Sequence, residues 1–351
     1  MKRMRVFVIV AIAAAFALAF AGCDDGSGST NPPKFNVDFE MVLVPAGSFQ
    51  RDTDPANISV ITKPFYMQTT IVTQKQWKTV WGLDELILND WSMGQENATD
   101  NLVGGAFMGD NYPINDVNWY RAIAYCNKLS ALEGKTPVYT VSGVTDWANL
   151  ALSSVPGTPW KDDNKRDAAW DAATADWDAD GYRLPTEQER YWAAIGADSR
   201  GGVDITGYLK AYAGSSEGFK GEDDMGLYAY FLPEGPGEVA TKRVNELGLY
   251  DMSGNQAEWC WDWFDGVFGS QCEGVASLAA KGTLTDYRGP AAGSDIPLDD
   301  PIAGNTFRVV ADAGWDMAAY SPWQMQPGYR NGGNPAATWD QFSFRIVRNA
   351  E

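Results

Sequence analysis

Two short runs, Phe307-Arg308-Val309-Val310 and Phe344-Arg345-Ile346-Val347, decide how this chain is read. Each is aromatic and β-branched and reads as a buried strand. Between Ala311 and Arg345 there is no Val, Ile, Leu or Lys. That interval is mostly Gly, Ala, Asn, Asp, Ser, Pro and Gln, punctuated by Trp315, Tyr320, Trp323, Tyr329, Trp339 and Phe342. Rigid aromatic area mixed with small, adaptable polar side chains is the composition of a recognition loop. The stretch reads as a surface displayed between two anchoring strands, with the rest of the chain holding it rigid.

The nearest support upstream is Glu258–Phe264. Here Trp259, Trp261 and Trp263 alternate with Glu258, Cys260 and Asp262, the period-two pattern of a strand whose tryptophans face a core. Leu247-Gly248-Leu249-Tyr250-Asp251-Met252-Ser253-Gly254-Asn255 leads into it through a tight Gly-Asn turn. Further back, Thr186-Glu187-Gln188-Glu189 has capping-box spacing and opens a helix through Ala194, and Thr73-Gln74-Lys75-Gln76 opens another that ends at Gly82. The carboxylates of Glu187 and Glu189 are assigned to capping. A third helix places Trp119, Ala122, Ile123, Cys126 and Leu129 on one face. Residues 142–180 read as a polar, exposed, partly helical insertion. Phe39–Phe49 reads as strand, Pro/Gly turn, strand.

The chain has 351 residues, 45% of them hydrophobic, enough for a large core. Its formal charge of −19 excludes the basic footprint that nucleic-acid binding requires, so no nucleic-acid partner is expected. Residues 1–22 read as a signal peptide: Lys2, Arg3 and Arg5 precede the apolar run Val6–Phe20, which is short for a membrane span. The junction Phe20-Ala21-Gly22-Cys23 resembles a bacterial lipobox. Cys23 then carries the lipid that anchors the chain to a membrane, and residues 23–37 form a flexible tether. Phe20 stands where Leu is usual, which leaves ordinary signal cleavage as the alternative. Export permits disulfides. Of Cys126, Cys260 and Cys272, the first two sit in core-like segments and make the favoured pair.

Several phrases stand in an order that carries a family resemblance. They are Met41-Val42-Leu43-Val44-Pro45-Ala46-Gly47-Ser48-Phe49, Thr73-Gln74-Lys75-Gln76-Trp77, and Asn118-Trp119-Tyr120-Arg121-Ala122 with Tyr125-Cys126-Asn127. Gly181-Tyr182-Arg183-Leu184-Pro185-Thr186-Glu187 follows, then Asn245–Asn255 with Glu258-Trp259, and last Phe344-Arg345-Ile346-Val347. Together they resemble the formylglycine-generating-enzyme-like (sulfatase-modifying factor) family. The resemblance implies a C-type-lectin-type fold of class α+β, a single irregular domain with much loop, over residues 38–351.

That family contains oxidases and also binding proteins diversified by retroelements. The oxidases use a C-terminal pair of reactive cysteines that bind copper, and iron-dependent relatives need histidines. No cysteine lies after Cys272 and the chain has no histidine, so neither copper nor iron is expected, and the chain reads as no enzyme. Ala311-Asp312-Ala313-Gly314-Trp315 also departs from the family's Arg-Gly-Gly-Ser-Trp. The resemblance to the retroelement-diversified variable proteins places a variable, ligand-binding segment at about 311–343. Its expected contact residues are Asp316, Met317, Ala319, Tyr320, Trp323, Met325, Tyr329, Asn331, Gly332, Gly333, Asn334, Ala337, Trp339, Asp340 and Gln341. Changing only the adenines of an Asn codon cannot give Trp or Met, so Met317, Trp323, Met325 and Trp339 are fixed or come from other codons. Asp251, Gly254, Gln256 and Glu258 match the positions where the family's enzymes bind calcium, so the resemblance implies a structural calcium there. The resulting expectation is a surface-displayed bacterial lipoprotein that binds a protein or glycan ligand. A calcium-dependent carbohydrate-binding lectin is the alternative, and a formylglycine-generating-type oxidase a more distant one.

Overall fold

The two threonine capping boxes read from the sequence both form, and they place the two helices that frame the N-terminal sheet. In the computed structural model, Gln76 N donates to Thr73 Oγ1 while Thr73 N donates to Gln76 Oε1 at 2.9 Å. Glu189 N donates to Thr186 Oγ1, and Thr186 N donates to Glu189 Oε2 at 2.8 Å. Gly82 closes the first helix in the left-handed conformation, at φ 65°, which glycine adopts without Cβ strain. The structure describes residues 35, 37–84, 107–159, 166–198, 207–215, 225–231, 235–265, 280–290, 307–315 and 322–350.

In chain order the elements are β1 (Met41–Val44), β2 (Gly47–Gln50), β3 (Ile58–Ile61), β4 (Phe65–Gln68), α1 (Gln74–Trp81) and α2 (Trp119–Leu132). Then come β5 (Tyr139–Thr140), β6 (Thr158–Pro159), α3 (Ala168–Asp171), β7 (Thr174–Ala175), α4 (Glu187–Ala194) and α5 (Met225–Tyr228). The C-terminal part holds β8 (Ala257–Trp263), β9 (Leu284–Thr285), β10 (Arg308–Ala311), β11 (Arg330–Gly333), β12 (Ala337–Thr338), β13 (Phe342–Ser343) and β14 (Val347–Asn349). Few helices, many short strands and long connections make this an irregular α+β fold. Among the described residues no helix is long and apolar enough to cross a membrane.

The longest strand, β8, is buried along its whole length. It lies in a four-stranded sheet of order β11-β10-β8-β13. Its tryptophan face packs on α2: Trp119 Nε1 donates to Cys260 O at 2.9 Å, Trp259 Nε1 donates to Val117 O at 2.7 Å, and Tyr139 stacks on Trp261 at 5.0 Å. Its other face carries Glu258, Cys260 and Asp262 toward α4. The strand therefore separates an aromatic layer from a buried layer of charge. On the aromatic side Arg308, opposite Trp263, lies 3.8 Å from the Trp119 ring centroid and 3.5 Å from that of Trp263. Burial pushes its guanidinium down to about 9.

Four expectations are corrected. The second anchoring strand, read as Phe344–Val347, is instead the crossing between two short strands. β13 runs parallel to β8, and β14 pairs antiparallel with β4 in the sheet β1-β4-β14. Phe344, Arg345 and Ile346 cross between those sheets, and Arg345 is bonded there to buried Glu258. The insertion 142–180 is not simply exposed, since Trp147 and Trp170 belong to the core around α2. Cys126 and Cys260 form no disulfide: both thiols are free and buried, one on α2 and the other on the charged face of β8. Cys272 and Cys23 lie outside the described residues. Packing begins earlier than the tether boundary at residue 37, because Val37 is buried against α2's core and Phe35 packs beside it.

In a Cys272→Ser variant, Cys126 and Cys260 should react with a thiol reagent only after denaturation, and reductant should leave the Tm unchanged. Fast labelling of Cys126 or Cys260 in the folded protein, located by mass spectrometry, would contradict the buried, unpaired thiols.

Candidate functional site

The stretch 307–349 is tied to the scaffold by buried charge at three points. At its start Asp312, at φ 69°, accepts from Gly254 N through Oδ2 at 2.9 Å and from Ala313 N through Oδ1 at 2.8 Å. Arg190 of α4 reaches the same Oδ2 at 3.2 Å. In its middle Arg330, on β11, holds Glu187 with two donors, Nη2 to Oε2 at 2.8 Å and Nε to Oε1, and pairs with Asp265 through Nη1. Near its end Arg345 donates Nε to Glu258 Oε2 at 2.6 Å and Nη2 to Glu258 Oε1 at 3.0 Å. Arg190 Nη2 shares Glu258 Oε1 at 3.0 Å. These side chains are buried, so each pair stands in a medium where charge–charge attraction is strong and an unpaired charge is costly.

The clusters tune their acids unequally. Burial alone would raise the Glu258 carboxyl; Arg190 and then Arg345 outweigh it and hold it below the usual glutamate value. Asp312 shares only Arg190, and burial wins, raising its carboxyl well above the usual range. Burial likewise raises Glu187, against the pull of Arg330. Glu187 is thus an ion-pair partner and not a cap, whereas Glu189 both caps α4 and accepts two bonds from Arg183.

Between these anchors the expected contact residues separate into two sets. Asp316, Met317, Ala319 and Tyr320 lie outside the described residues. Trp339 is 38% exposed, the one aromatic among the exposed large hydrophobic residues described. Trp323, Asn331, Gly332, Asn334, Asp340 and Gln341 are partly exposed. Met325, Tyr329, Gly333 and Ala337 are buried, which corrects their assignment to a displayed face. Met325 and Tyr329 pack with Ala211, Tyr212, Met225 and Ala229 in a separate apolar cluster beneath the segment. A Cβ at Gly333 would stand 2.5 Å from the Trp259 ring, and one at Gly332 2.6 Å from Phe264, so β11 runs against those rings with no room for larger residues.

Arg330, Asp312 and Arg345, the residues that fix the segment, were not among the expected site residues. Arg330 had a signal, since it is the sole basic residue between Ala311 and Arg345.

The implied calcium set fits unevenly. Asp251 Oδ1 and Gln256 Oε1 are buried without a hydrogen-bond partner, as oxygens available to a cation would be. Glu258 does not fit, because both its oxygens are held by arginines. Burial raises Asp251 to about 6, opposed by the Ala240 N–H that its Oδ2 accepts. Burial raises both Cys126 and Cys260 well above the usual thiol value.

Comparison with known proteins agrees with this architecture. Residues 29–350 match the family described as the sulfatase-modifying factor enzyme 1-like domain. The chain is similar to the chaperone protein LppX of Paenibacillus barcinonensis, with 30% identity over 281 residues, 75% of this chain and 82% of that protein. Among solved structures, variable protein 1 of Treponema denticola superposes with a TM-score of 0.65 at 28% identity, covering 91% of this chain and 98% of that one. CarF superposes with a TM-score of 0.53 at 20% identity, covering 90% and 99%, a likeness of fold.

Two outcomes follow from the charges. Arg190→Met removes the cation shared by Glu258 and Asp312 and should cost about 3–5 kcal/mol in urea unfolding, whereas Trp339→Ala should cost less than about 1 kcal/mol; equal losses would contradict the division into anchor and display. In chelator, Asp251 has a folded pKa of about 6 above its ordinary 3.8, so the native state holds the extra proton between those values. Its contribution therefore weakens stability as pH climbs through that window and is constant above it. Asp251→Asn should flatten the stability curve between about pH 4 and 6, and an unchanged curve would refute the shift.

Proposed function

Because this chain belongs to the sulfatase-modifying factor enzyme 1-like family, we propose that it is a non-catalytic member, an exported, lipid-anchored protein that binds a protein or glycan through a diversified C-terminal surface. The observation that carries this reading is the separation of frame from face. Asp312, Arg330 and Arg345 lock the segment at its start, middle and end, while Asn331, Asn334, Trp339, Asp340 and Gln341 keep part of their surface open. The three charged anchors are thus not themselves among the open positions. Recognition rests on an aromatic anchor, Trp339, with polar neighbours tuning specificity.

The likeness to the Treponema denticola variable protein supports the reading. So does the chemistry of the described thiols, which are buried, high in pKa and upstream of the segment where the family's oxidases carry theirs. A structural calcium at Asp251 and Gln256 belongs to the proposal, with Glu258 excluded from it. It is tested by thermal unfolding of wild type and Asp251→Asn with calcium and with chelator: calcium should raise the Tm of the wild type alone. The name of the relative LppX favours a second reading, a chaperone for another exported protein. A chaperone would suppress aggregation of several unrelated unfolded proteins, and a diversified binder would not.

Deep sequencing of the 3′ end of the gene across a clonal population and related isolates tests the main reading. Substitutions should crowd into the open positions of 311–343, including Asn331, Asn334, Asp340 and Gln341. Asp312, Tyr329, Arg330, Gly333, Ala337 and Arg345 should stay constant. An unvarying segment, or changes spread evenly over the anchors, would remove diversification from the proposal.

A further inference from the structure

A cavity of about 60 Å³ opens where the turn after β3, the start of β4, the end of β14 and the segment after β9 meet. No residue of 307–343 lines it, so it is distinct from the display surface. One wall is apolar, made by Ile61, Pro64, Phe65 and Trp177, and two arginines, Arg183 and Arg288, enter it.

The acceptors in this cavity are already engaged. Glu189 takes Arg183 Nη1 at 2.6 Å and Nη2 at 2.8 Å, together with Thr186 N. Asp286 accepts from Thr62 N at 2.8 Å and from Thr62 Oγ1 at 2.5 Å. The donors are in surplus. Arg288 stacks on Trp177 with its Cζ 4.1 Å from the ring centroid, and makes no hydrogen bond or ion pair with a described residue. Arg183 approaches the same ring at 5.3 Å, and its Nε is buried without an acceptor. A guanidinium held flat on an indole keeps its planar fork of N–H donors pointing outward, the geometry that matches a planar carboxylate. The volume accommodates a few heavy atoms.

We propose that this cavity binds a small aliphatic carboxylate, with its charged end on Arg288 and its carbon end against Phe65, Pro64 and Trp177. The apolar wall favours a carbon-bearing acid over an inorganic oxyanion, which presents polar oxygens on every side. Arg288 lies at the mouth and is itself exposed, so it can change without disturbing the core. Arg183 is committed to Glu189 and to the scaffold, and is a positioning residue here.

The test is calorimetric titration of the full chain with propionate at constant ionic strength, with sulfate and chloride as controls. Saturable propionate binding is expected, weakened about tenfold or more in Arg288→Gln by loss of charge-assisted hydrogen bonds, and less in Arg288→Lys. Circular dichroism and Tm keep the variants comparable as folded proteins. The proposal is overturned if propionate does not bind saturably, if Arg288→Gln binds it as tightly as wild type, or if sulfate binds equally well. None of these outcomes depends on what the C-terminal surface recognises.

Discussion

Glu258 is the residue from which the architecture is held. Its two carboxylate oxygens receive three bonds from two arginines, Arg190 on α4 and Arg345 near the end of the chain. The remaining donors of Arg345 go to the carbonyls of Gln68, Thr69, Tyr250 and Asp251. One guanidinium thus gathers β4's end, the turn before β8 and the C-terminal crossing. Buried ion pairs are poor sources of net stability, because desolvation cancels most of the attraction. Their strength lies in the cost of the alternatives: any packing that separates these groups leaves a charge alone in a low-dielectric interior. The network selects one arrangement of loops that short strands could not select by themselves.

That constraint explains how a segment so poor in aliphatic residues keeps a defined path. It has little apolar area of its own to bury, and few regular hydrogen bonds. Fixed charge partners replace both. Where the segment must approach the central sheet, glycine provides the clearance, with Gly332 against Phe264 and Gly333 against Trp259. Where it must be filled from below, Met325 and Tyr329 turn inward to a cluster supplied by residues 211–229.

Much of this was legible in the chain. The capping boxes at Thr73 and Thr186, the helix from Trp119 and the alternating tryptophans of β8 depend on spacing within a few residues, and all stand as read. The order of short phrases was sufficient for the family and the fold class. What could not be read depends on partners far away in sequence. Glu187 has the position of a capping residue, yet its partner Arg330 lies 143 positions on. Tyr329 and Met325 look like display residues in a polar loop, and only the distant residues beneath them make them core. Cys126 and Cys260 are both buried but lie in different clusters, one on α2 and the other on the far face of β8, and core-like context carries no information on whether two thiols face each other.

The last strand has a consequence for how the molecule comes into being. β14 completes the sheet begun by β1 and β4, with Val347 opposite Met67, and Arg183 exchanges backbone bonds with Val347 as well. Only a few residues earlier, β13 occupies the edge of the central sheet. A growing polypeptide therefore closes β2, β3 and β9 into a sheet by residue 285, while the sheet begun by β1 and β4 waits on residue 347 and Glu258 waits on Arg345. Contacts of such separation are slow to close, so these two steps fall late in the assembly of the molecule.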